Sequence, residues 1–172
     1  MSNLPLPRWA YVPGETLPGE TFEADADFEA LAQVKLLVPA AFRGYVPARH
    51  PALRYGIALN DTGYFWESQE VLEAVWAAAP QGGRERILLR ACIQIANANL
   101  RLRMRKPYAA ARLLGEALGE LKALGLRKAV AGGHGFADGF PTAALAALLG
   151  TKLVLPLLSK ADWVKIGAVS RA

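Results

Sequence analysis

The sequence predicts an all-α protein: a small bundle of about five helices, with an extended proline-rich arm at the N-terminus and an irregular tail at the C-terminus. Three observations carry that prediction. Alanine and leucine dominate from Leu59 onward, and both favour helix. Apolar residues in that stretch recur three and four positions apart. Turn signals, Pro80-Gln81-Gly82-Gly83 above all, separate one periodic run from the next.

A chain of 172 residues has room for one domain with a proper core. Its 53% hydrophobic and 20% charged content excludes a disordered chain. The net charge of +5 aids solubility but is far from a polybasic tail. Cys92 is the only cysteine, so an intrachain disulfide and a thiolate metal cage are excluded, which suits a reducing cytoplasm. The opening MSNLPLPRWAYVPGE has prolines and an acid where a secretion signal needs an apolar run. Residues 142–158 come nearest to a membrane span. Gly150, Lys152 and Pro156 interrupt them, and they fall short of the roughly 20 apolar residues a bilayer requires, so docked chain and no membrane are expected.

Residues 1–20, with Pro5, Pro7, Pro13 and Pro18, read as the extended arm, anchored by Trp9 and Tyr11. The bundle core spans 21–125. Thr21 is placed to cap its first helix, acids crowd the first turns, and Phe28, Leu31 and Lys35 share a face, until Pro39 ends the run. An irregular stretch from Arg43 to Pro51 follows. The central helix begins between Pro51 and Asn60 and reaches Ala79, with a break expected near Asp61-Thr62-Gly63. On it Tyr64, Phe65, Val71, Leu72, Val75, Trp76 and Ala79 fall within an arc of about 140°, a core-facing stripe. Trp66, Glu70 and Glu73 fall opposite, with Gln69 at the border. A tryptophan sharing a face with two carboxylates implies either a second layer over that face or a bound partner.

The helix from Arg84 to Arg105 is apolar nearly all round, which places it mid-bundle. Its polar stripe is Arg90, Gln94, Asn97 and Arg101. Pro107 suits the first turn of the next helix, Tyr108 to Leu124, which Gly125 is placed to stop. Gly115 and Gly119 weaken it unless another element approaches there. The extension 126–172 is expected to pack on the core. In it the glycines around His134 form a loop, Thr142 to Leu149 a short helix stopped by Gly150, and Lys152 to Leu158 an extended strip wedged against the body.

Three segments, YGIALNDTGYFWESQEVLEAVW at 55–76, IQIANANLRLRMRKP at 93–107 and AARLLGEAL at 110–118, together resemble the helical family catalogued as domain of unknown function 309. That family reads aromatic-G, then N-x-G-aromatic-aromatic-E-A-H-E-x-x-E-x-x-W, then L-I-Q-x-A-A-A. The resemblance covers about residues 50 to 124 and implies a small all-α bundle. It brings no established activity. Gln69 stands where the family has histidine and Ser68 where it has alanine, so a role carried by that histidine is missing here. Glu70 and Glu73 remain.

Those two acids lie one turn apart, so their carboxylates can converge on a cation or share a proton. A metal wants further ligands, and the chain offers only His50 and His134, both on loops, with no H-E-x-x-H. No metal and no cofactor are therefore expected. A buried carboxylate needs a partner, and the stripe on the next helix supplies candidates. The expectation is a network joining Glu73 and Glu70 to Arg101 or Gln94, with Asn97 and Gln69 alongside. It is either structural or the wall of a pocket that also uses Trp66. Arg101, Arg103, Arg105 and Lys106 read as a solvated basic helix end, since no nucleic-acid motif and few aromatics accompany them. The resulting expectation is a non-enzymatic cytoplasmic module that binds a protein partner or small ligand through the Trp66, Glu70 and Glu73 face. The alternative is a hydrolase-like enzyme using those carboxylates. The oligomeric state stays open.

Overall fold

The computed structural model describes residues 4–15, 22–127 and 133–171. Thr21, expected as the cap of the first helix, lies outside them, as do Pro18 and Gly132. Helix α1 is Phe22–Lys35, and it buries Leu31 and Val34. Helix α2, Pro51–Asp61, starts where Pro51 pre-sets the first turn, and the imidazole Nδ1 of His50 accepts the Ala52 N–H at 3.2 Å as a cap. Burial of that ring lowers its pKa, against the Leu37 carbonyl that favours protonation.

The expected break follows. Gly63 at φ 96° turns the chain, Thr62 bonds back to the Ala58 carbonyl at 2.7 Å, and α3 runs over Phe65–Ala78. Gly56 faces Leu72, so α2 and α3 return against each other as a hairpin. Helix α4, Arg84–Arg103, is the central rod, and it buries Leu88, Leu89, Ala91, Cys92, Ile95, Ala96 and Ala98 completely. It ends with Lys106 N–H on the Arg101 carbonyl and Arg105 N–H on that of Leu102, which forces Arg105 to φ 61°. Helix α5, Pro107–Gly125, lies along α4, and α3 lies on another side of it.

Over the described residues 133–171 the extension carries more helix than its glycines imply. A four-residue helix α6, Phe136–Gly139, forms where a loop was expected. Gly135 bridges Pro47, and Arg84 binds Asp138 at 2.8 Å. Helix α7, Thr142–Leu153, packs on α5 and passes straight through Gly150 instead of stopping there. The segment after it is not wedged inward: Val154, Leu155 and Leu157 are exposed, and only Leu158 turns into the core. Two 3-10 turns, Lys160–Asp162 and Gly167–Arg171, finish the chain against α4 and α2 respectively. The fold is all-α. Among the described residues it has seven α-helices rather than about five, the difference coming from the α2–α3 break and the short helix α6. Among them, no helix is long and apolar enough to cross a membrane.

Candidate functional site

The face carrying Trp66 is roofed by the chain itself. Tyr11 of the arm and Phe28 of α1 both meet the Trp66 ring edge-on, with centroids 5.2 and 5.4 Å away. The neighbouring Glu67, buried at 3% exposure, accepts the Tyr11 N–H at 2.8 Å and so fixes the arm. One turn beyond Trp66, Glu70 forms an ion pair with Lys35 of α1 at 2.7 Å. Gln69 is half-buried, and Glu73 is exposed at the open end of the stripe. Partial desolvation raises the Glu73 carboxyl above the usual range, and the Glu70 charge adds to the rise while Lys35 opposes it.

The network expected between α3 and α4 does not form. Gln94 donates to Glu116 at 3.4 Å and Arg90 lies 3.6 Å from Glu120, both acids of α5. Asn97 and Arg101 are half-buried on the same stripe. Moving up α4 and down α5, the pairs match, so this stripe borders α5, while toward α3 the rod presents apolar side chains and the Arg86 guanidinium, 4.1 Å from the centre of the Trp76 ring. The cation that Glu70 uses comes instead from α1, a helix whose position in space the spacing on α4 cannot reveal.

A different polar cluster lies at the centre. Asn99, 1% exposed, donates from Nδ2 to Asn60 Oδ1 and to the Val164 carbonyl, and its Oδ1 accepts the Val164 N–H, each at 2.8 Å. Asn60, fully buried, donates to the same carbonyl at 3.0 Å. Asp61 accepts the Ile166 and Gly167 N–H groups, both at 2.6 Å. Two amides and a carboxylate thus clasp the C-terminal segment onto α2 and α4. The signal was present: an asparagine on the apolar side of a central helix must find partners.

Each of these side chains belongs to one stretch of sequence, and a family model described as domain of unknown function (DUF309) matches residues 53–113. That stretch, about a third of the chain, is similar to DUF309. It runs from α2 into α5 and contains Asn60, Glu67, Glu70, Glu73 and Asn99, while Tyr11, Lys35 and Val164, which bond to them, lie outside it. No curated protein and no solved structure matches the chain.

In the matched segment Gln69 stands where the resemblance implies a histidine. Neither histidine of the chain replaces it: His50 caps α2, and His134 is exposed near α6. Among the described residues, no three His, Cys, Asp or Glu side chains come together as metal ligands. Cys92 is fully buried, and burial pushes its thiol up to about 12, so it carries no thiolate at neutral pH.

Proposed function

We propose that the chain is a non-enzymatic binding module. Its partner is a protein segment that presents a lysine or arginine beside apolar side chains. The site is the edge where α1 meets α3, the open end of the Trp66, Glu70 and Glu73 face. One observation carries the reading: Glu73 stands exposed beside Glu70, and Lys35 is already engaged by Glu70. A cation arriving from outside offsets the desolvation and the Glu70 repulsion that together raise the Glu73 carboxyl. Phe28, Leu36 and Leu37 are exposed on α1 and just past it, which gives the same edge an apolar component.

Selection of a displayed peptide library on the protein, counter-selected on an E70Q/E73Q double variant, tests this. Enrichment of sequences pairing Lys or Arg with apolar residues is expected. No such enrichment, or equal binding to the double variant, overturns it. The pH dependence follows from the raised Glu73 carboxyl. The partner's cation prefers the ionised form, so affinity is full above the raised pKa and falls as pH drops through it. Glu73→Gln flattens that profile, measured by fluorescence anisotropy of a selected peptide.

A further inference from the structure

A second site lies apart from the α1–α3 edge, and none of its lining residues comes from α1. It is a pocket of about 410 Å³ lined by Glu15, Gly63, Phe65, Asn99, Arg103, Lys160 and Trp163. That size matches the lower range of small-ligand clefts. The arm, the matched segment and the C-terminal extension each supply part of it.

The aromatic wall and the floor are held in place. Phe65 and Trp163 meet edge-to-face with centroids 5.3 Å apart. Trp163 sits between two fixed points. On one side Asp162 closes a capping box with Ser159; on the other, Val164 is clasped by Asn99. Asn99 spends its donors and its acceptor on that clasp, so the floor is closed and asks nothing of a ligand. Gly63 adds no side chain, and no neighbouring atom stands within 4 Å of the position a Cβ would take there.

The rim is cationic. Arg103 and Lys160 border the pocket, and Lys165 lies over the Trp163 ring, 5.2 Å from its centroid. Among the described residues the acids nearby are Glu15 and Asp162. Asp162 is engaged by the Ser159 N–H and hydroxyl and faces Lys152 at 4.0 Å. Glu15 meets Arg103 side-on, with Nε and Nη2 each 3.4 Å from one carboxylate oxygen. This is the two-oxygen geometry in which a guanidinium takes a carboxylate. It is also long for such a pair, and both side chains are 45% exposed, so the contact is weak. The arm's carboxylate therefore occupies, loosely, the position where an external anion would bind.

From this we infer that the pocket binds a small planar aromatic acid. Its ring packs against the surface that Phe65 and Trp163 together present to the pocket, and its anionic group displaces Glu15 from Arg103 with support from Lys160. Neutral aromatic molecules lack the second half of that recognition.

The probes are 1-naphthoate and its neutral isostere 1-naphthamide, titrated into the 15N-labelled full-length protein. 1-Naphthoate is expected to shift the Trp163 indole N–H, the Arg103 Nε–H and the Gly63 amide saturably, with 1-naphthamide about tenfold weaker or more. Arg103→Gln weakens 1-naphthoate by about tenfold and leaves 1-naphthamide unchanged, while Glu15→Gln tightens 1-naphthoate several-fold. Lys160→Gln gives a smaller loss and serves if the remaining resonances of the Arg103 variant report a disturbed fold. The inference is overturned by the absence of saturable shifts at Trp163 and Arg103, by equal affinity for the two probes, or by cation variants that bind like the wild type. The E70Q/E73Q variant should bind 1-naphthoate normally, which separates this result from that at the acidic edge.

Discussion

Asn97 and Asn99 are two residues apart on the same helix, and their energetic roles are opposite. Asn97 lies on the half-buried polar stripe and makes no side-chain hydrogen bond among the described residues. Asn99 makes three and is 1% exposed. Replacing Asn99 with leucine strands the Val164 N–H and the Asn60 Oδ1 in the interior and leaves the Val164 carbonyl to Asn60 alone. Each stranded group costs about 1–3 kcal/mol, so a loss of several kcal/mol is expected for Asn99→Leu in urea unfolding. Asn97→Ala should stay within about 0.5 kcal/mol of the wild type. The sequence pattern pointed to the wrong member of the pair for a physical reason. Spacing groups residues that share a stripe, and Asn97 shares one with Arg90, Gln94 and Arg101. Depth depends on which neighbours cover the stripe, and a buried amide is conspicuous only through the apolar residues around it. Glu67 repeats the lesson: it reads as one acid of an acidic motif, yet it is the buried one that holds the backbone of the arm.

Among the helices, glycine shows what an element needs from its neighbours. In α2 a Cβ at Gly56 would stand 2.7 Å from Leu72 Cδ2 and 2.9 Å from its Cγ, and Leu72 is fully buried with nowhere to move. That approach lets α2 fold back on α3, which sets Phe65 and Trp66 at the start of α3 against their partners. Gly56→Ala should cost about 1–3 kcal/mol through overpacking. In α5, Gly115 and Gly119 are exposed and a Cβ there would meet nothing within 4 Å. The sequence left open whether another element approaches them, and among the described residues none does. Gly115→Ala and Gly119→Ala should each stabilise by about 0.4–1 kcal/mol, since alanine narrows the unfolded ensemble and fits the helix. Thermal melts of the three single variants check both signs at once. The helices themselves were legible because their apolar spacing survives in the sequence, as did the α2–α3 break at Gly63. The ends were less so. Gly150 reads as a stop but lies inside α7, because a glycine ends a helix only where the chain needs to leave it, and Leu153 still has a turn to complete.

At the scale of the whole molecule, the matched segment does not contain its own core. Leu53, Leu88 and Ile95 of residues 53–113 belong to one apolar cluster with Leu121 and Leu124 of α5, Leu145 and Leu149 of α7, and Leu158, Val164 and Ile166 of the extension. Cutting at residue 113 removes the second half of α5 and exposes the side of α4 that it covers. It also leaves Asn60 and Asn99 without the Val164 backbone. Periodicity could predict an all-α bundle, because each helix carries its own pattern. It could not show that the tail completes the interior, since Val164 and Ile166 sit in a short irregular segment with no period to read. The expected outcome is that a fragment of residues 51–113 is helical by far-ultraviolet circular dichroism but lacks a near-ultraviolet signal and a cooperative urea transition, whereas the full chain shows both. A fragment that unfolded cooperatively, with a urea dependence in proportion to its length, would mean that α2 to α4 hold together unaided. The clasp around Val164 would then join two structures already formed instead of closing a single one.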